Sequence, residues 1–119
     1  MTVYQTEVFD IGAQAELFQA ENMILLFGKD ASQDLAEYCF NIYVNQLEDH
    51  IEPGMTVKFD DNSYEITAVG NVVEKNLVDL GHITINFNGA TTADLAGTLY
   101  VEAKPLPNIE VGTAISIHA

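Results

Sequence analysis

Apolar and polar residues alternate along this chain in short bursts, each cut off by a turn signal, and no long helical period joins them. Tyr4, Thr6 and Val8 alternate with Gln5, Glu7 and Phe9 in a segment rich in β-branched and aromatic residues, which predicts a strand closed by Gly12. The apolar run at residues 23–27 reads as a buried strand ending at Gly28. Phe40, Ile42 and Val44 fall on one face and Cys39, Asn41 and Tyr43 on the other, as in a half-buried strand. Met55, Val57 and Phe59, the turn residues Asp60-Asp61-Asn62-Ser63, and then Tyr64, Ile66 and Ala68 predict a hairpin. Ile83, Ile85 and Phe87 alternate up to Asn88-Gly89, a strong turn signal, and Leu99 with Val101 and Ile115 with Ile117 mark two last strands.

Helical signals are few. Asp30 followed by Gln33 resembles a capping box and predicts a short helix to about Glu37. Val73, Leu77 and Leu80 share a helical face that Gly81 terminates, and residues 13–21 read as a loop or one to two helical turns. Half-buried strands of this length must cover one another. The expectation is therefore an all-β fold, a barrel or a sandwich of short strands with one or two short helices, in a single domain over residues 1–119.

With 48% hydrophobic residues, 119 residues can bury one core and no second. Eighteen acidic residues against four basic ones give a formal net charge of −14, a field that repels nucleic acid and anionic membranes and speeds encounter with a basic partner. The longest apolar run is far short of the roughly 20 residues that cross a bilayer, so no membrane insertion is expected. The amino terminus, Met1-Thr2-Val3-Tyr4-Gln5-Thr6-Glu7, lacks the basic and apolar stretches of a secretory signal. Cys39 is the only cysteine, which excludes an internal disulfide and fits a reducing compartment. The expected location is cytoplasmic.

None of His50, His82 and His118 sits at a metal-binding spacing from another ligand type, and no Gly-rich phosphate loop or nucleophile elbow is present, so neither metal nor cofactor is expected. Cys39 has no nearby basic residue to activate it and reads as packing. The acids at 48–52 around His50 lack the spacing of a calcium loop and read as a solvated turn; His118 is penultimate. His82 differs. If Ile83, Ile85 and Phe87 face the core, it lies on the opposite, wetter face with Thr84 and Asn86, where a partner can reach it. A neutral imidazole there can accept a phosphoryl group through a ring nitrogen; a polar residue opening a strand is the plainer reading.

Several stretches, in shared order and spacing, carry a resemblance. They are Met1-Thr2-Val3-Tyr4-Gln5-Thr6, the 35–40 segment with Glu37-Tyr38-Cys39-Phe40, Pro53-Gly54, Thr67-Ala68-Val69-Gly70, Asn76-Leu77, Leu80-Gly81-His82 and Gly97-Thr98. Over nearly its whole length the chain resembles the glucitol/sorbitol-specific IIA component of the bacterial phosphoenolpyruvate-dependent sugar phosphotransferase system. The resemblance implies an all-β fold, a small Greek-key-like barrel of about six to eight short strands with one or two short helices, that takes a phosphoryl group from the carrier HPr and relays it towards the IIB domain of a hexitol (glucitol/sorbitol) IIB/IIC permease. The family's acceptor histidine falls two residues beyond Phe40, and that position here is Ile42. His82, within the matching Leu-Gly-His piece, is then the candidate catalytic residue. The alternative is a regulatory or binding module of the same fold that docks without transferring. A barrel serving an unrelated ligand has no residue pattern behind it.

Overall fold

The structure, a computed structural model, describes residues 2–29 and 32–119, apart from the side chain of Gln33. Its strands are β1 (Thr2–Ile11), β2 (Met23–Phe27), β3 (Phe40–Ile42), β4 (Thr56–Phe59), β5 (Asn62–Val69), β6 (Ile83–Asn86), β7 (Thr98–Val101) and β8 (Ala114–His118). Helix α1 (Gln33–Ala36) and helix α2 (Val73–Leu80) interrupt them, with a single 3-10 turn at Leu17–Glu21. The strands close into a barrel in the order β1, β3, β2, β6, β7, β5, β4, β8, so every strand edge is paired along the ring. The expected all-β barrel with short helices is the fold. Among the described residues, no helix is long and apolar enough to cross a membrane.

Alternation decides which side chains fill the barrel. Tyr4, Thr6 and Val8 of β1 point in while Gln5 and Glu7 point out, and Ile83, Ile85 and Phe87 are buried while His82, Thr84 and Asn86 are half-exposed. Phe40, Phe59, Ile24, Leu26, Ile66 and Leu77 are among the largest fully buried side chains, each contributing about 1.5–3 kcal/mol by leaving water. Phe59, Tyr64 and Phe87 form an aromatic cluster, with the Tyr64 and Phe87 rings edge-on at 4.9 Å.

Three local expectations need correction. The β4–β5 hairpin turns on Asp60 and Asp61 alone, since Phe59 already pairs with Asn62, and Asp60 takes the left-handed φ of 54° that such a tight turn requires. Strand β3 stops at Ile42. Beyond it, the Thr6 hydroxyl donates to the Tyr43 carbonyl (2.6 Å) and the Asn45 amide to the Gln5 carbonyl (2.7 Å); Val44 is therefore exposed, not on a buried face with Phe40 and Ile42. Asn88-Gly89 does make a turn, with Gly89 at φ 71° and the Ala90 N–H donating to Asn88 Oδ1, but the next strand, β7, pairs with β6 in parallel. The chain crosses over there because parallel neighbours cannot be joined by a hairpin. As for α1, the anticipated Asp30 cap lies outside the described residues, and the Ser32 hydroxyl accepts from the Leu35 N–H at 3.4 Å.

Candidate functional site

Helix α2 ends where its sequence says it should: Gly81 adopts φ 68° and its N–H closes on the Leu77 carbonyl at 2.9 Å. The following His82 N–H reaches the Asn76 carbonyl at 3.2 Å, which fixes the direction in which the chain enters β6. Strand β2 runs antiparallel to β6, with Leu26 opposite Ile83, and its continuation is tied down by the Gly28 N–H donating to the Leu80 carbonyl at 2.9 Å. Val44 fills the remaining gap. A Cβ at Gly28 would stand 2.5 Å from Val44 Cγ2 and 2.6 Å from the Leu80 oxygen, so only glycine lets these segments meet.

The His82 ring is held in this corner from two sides. Nδ1 lies 3.1 Å from the Leu26 carbonyl oxygen, and the ring packs on Phe27 with centroids 4.7 Å apart. A carbonyl can only accept, so the proton sits on Nδ1 and the lone pair on Nε2 is left available. Exposed Val44 and Leu80 flank the glycines beside it, apolar surface that folding leaves uncovered. Sequence reading singled out His82 but not its setting: Leu26, Phe27, Gly28 and Val44 are remote in the chain, and Gly28 and Gly81 read only as the ends of a strand and a helix.

Ile42 is one strand away from this corner: Asn41 before it pairs with Phe27, on which the His82 ring packs. It is fully buried in β3, opposite Val8 of β1, where its side chain belongs to the barrel core. Aliphatic packing is all it can supply. Cys39 is buried too, and burial pushes its thiol up to about 11, far from a reactive thiolate.

The other histidines have different surroundings. His50 Nδ1 is 3.0 Å from Glu74 Oε1 on the first turn of α2, while Glu74 Oε2 accepts the Ile51 N–H, also at 3.0 Å. The hydrogen bond and charge of Glu74 raise the His50 pKa, with Asp49 and Glu52 adding to it. Burial alone would raise Glu74, but the bonds from Ile51 and His50 outweigh it and hold the carboxyl below its usual range. His118 has both ring nitrogens engaged, by the Thr2 hydroxyl at 3.2 Å and the Ser116 hydroxyl at 2.7 Å. Among the described residues, no three His, Cys, Asp or Glu side chains converge as they would round a metal ion.

Comparison with known proteins accounts for the barrel as a whole. Residues 3–116 match the family described as PTS system glucitol/sorbitol-specific IIA component. Proteins of Shigella flexneri and Escherichia coli, each named PTS system glucitol/sorbitol-specific EIIA component, are 39% identical over 106 residues, covering 89% of this chain and 85% of the relative. The crystal structure of a PTS system IIA component from Enterococcus faecalis superposes with a TM-score of 0.83 at 27% identity, over 98% of this chain and 100% of that one. Sequence and fold agree over almost every strand, and the chain belongs to the glucitol/sorbitol-specific IIA family of the sugar phosphotransferase system.

Proposed function

We propose that this chain is a cytoplasmic phosphocarrier that receives a phosphoryl group from HPr on Nε2 of His82 and delivers it to the IIB domain of a hexitol permease. The observation that carries this reading is the hydrogen bond from His82 Nδ1 to the Leu26 carbonyl in a ring that is still half-exposed. In the forward step the N–P bond on the phosphorylated carrier breaks as a P–Nε2 bond forms on His82. No proton need move. The Leu26 oxygen keeps the proton on Nδ1, so the phosphorylated ring remains a good leaving group when the IIB nucleophile attacks. Exposed Val44 and Leu80 give a partner apolar surface beside the ring, and the acidic chain favours a basic one.

A second reading has its own support, because the position to which the family resemblance assigns the acceptor histidine is here the buried Ile42. In that case the barrel docks on the same partners and transfers nothing. Incubation with phosphoenolpyruvate and the general carrier proteins, followed by intact mass measurement, separates the two. The relay predicts one added phosphoryl group that disappears in His82→Ala. No gain in the wild-type chain, alongside measurable binding to HPr, establishes the docking module instead.

A further inference from the structure

The outer face of β1 carries a groove of about 640 Å³ that leaves out His82 and shares Val44 with the surface beside it. Its origin lies in the register. Gln5 pairs with Ser116 and Glu7 with Ala114, so two long polar side chains of β1 stand beside two small ones of β8. On the other flank β3 has ended, and the irregular segment carrying Tyr43, Val44 and Asn45 rises as a wall, with Lys29 completing the rim. A trough between tall and short residues is the result, within the range of volumes that hold small ligands.

Three properties of the lining define what fits. Tyr43 is half exposed, yet its ring is braced by Phe9 at a centroid distance of 4.9 Å, which makes a rigid apolar platform open to the groove. The polar groups are neither all donors nor all acceptors. One N–H of the Asn45 amide is committed to the Gln5 carbonyl, which leaves its second N–H and its oxygen; the Gln5 amide does both, the Ser116 hydroxyl is shared with His118 Nε2, and Lys29 only donates. Finally, the charges cancel: one carboxylate, Glu7, and one ammonium, Lys29, line the groove beside the His118 ring, whose nitrogens are engaged by Thr2 and Ser116, and among the described residues neither Glu7 nor Lys29 takes part in an ion pair. A phosphate would meet Glu7 and a cation would meet Lys29.

We infer that this groove binds a small, neutral, polyhydroxylated molecule, its hydroxyls bonded to Gln5, Glu7, Asn45 and Ser116 and its C–H face laid on Tyr43. Each hydroxyl both donates and accepts, which is what a mixed lining demands. The C–H face takes the aromatic platform. His82 does not line the groove, so binding does not depend on which residue accepts phosphoryl; Val44 belongs both to the groove wall and to the apolar surface beside His82, so a polyol sensed here adjoins the face that engages proteins.

Titration of the isotope-labelled protein with glucitol, followed by backbone and side-chain amide resonances, tests this. Saturable shifts are expected at Gln5, Glu7, Tyr43, Asn45 and Ser116, with about tenfold weaker binding in Tyr43→Ala and a comparable loss in Glu7→Ala. Both side chains are exposed, and an unchanged melting temperature separates lost binding from lost folding. His82→Ala should bind as the wild type does, so a failed relay and a failed groove give different results. Shifts that rise without saturating, shifts centred elsewhere, or Tyr43→Ala and Glu7→Ala proteins that bind as tightly as wild type all overturn the proposal. So does a clear preference for glucitol phosphate over glucitol, which would make the groove an anion site centred on Lys29.

Discussion

Helix α2 holds a histidine at each end, and the two ends treat the imidazole in opposite ways. At the first turn, Glu74 grips Nδ1 of His50 with a carboxylate, in a setting that also contains Glu48, Asp49 and Glu52, and the ring stands in water. Past the last turn, a main-chain carbonyl grips Nδ1 of His82, and the neighbours are Phe27, Val44 and Leu80. Both fix the tautomer. The carboxylate also stabilises positive charge on the ring and, with its acidic neighbours, repels an incoming phosphoryl dianion; the carbonyl fixes the proton without adding net charge. The two rings therefore share a held Nδ1 and differ in the charge around Nε2, the difference on which the proposed choice of His82 rests.

The largest expected effect bears on that contrast directly. In the phosphorylation assay, His82→Ala should abolish the added mass and His50→Ala should leave it unchanged; the reverse pattern would show that local charge does not select the acceptor. Next, Leu77→Ala removes the fully buried side chain that anchors α2 between the two histidines. Chemical denaturation should show a loss of about 2–5 kcal/mol, with both ends of the helix loosened.

Gly81→Ala acts at one end only. It forces a side chain into φ 68° and to 3.0 Å from Val44 Cγ2, so a cost of about 1–2 kcal/mol is expected, together with slower phosphoryl uptake and an unaltered His50 titration. A slowed rate with no stability change would mean that the corner bends more easily than its contacts indicate. The smallest effect is at the other end. Glu74 raises the His50 pKa above its ordinary 6.5, and its own pKa lies below the ordinary 4.5. Their tether is thus complete between those two values, lost as pH rises through the raised His50 value and lost again as pH falls through the lowered Glu74 value. In Glu74→Gln the His50 ring resonances should titrate at lower pH, with little change in melting temperature because the pair is exposed.

Much of the barrel could be read directly. The strand at Met23–Phe27 and the helix at Val73–Leu80 with its Gly81 stop fall where periodicity and capping chemistry put them, and the inward set of β1 follows from alternation alone. The candidate site was legible only as one histidine on the wetter face of a strand. Its partners could not be read, since Leu26 lies 56 residues from His82 and no local pattern links them. The groove on β1 was invisible for the same reason, being made by the register of β8 and the early end of β3.

What the amino-acid order determined by itself was local: which residues alternate, where glycine ends a helix, how much charge the surface carries, and the resemblance that these pieces add up to. Tertiary structure alone decided that β6 and β7 run parallel despite Asn88-Gly89, that Val44 leaves the buried face it shares by alternation with Phe40 and Ile42, and that the His82 proton rests on Nδ1. Periodicity reports the preferences of neighbours along the chain, whereas register and ring orientation are settled by contacts between segments that meet only when the barrel closes.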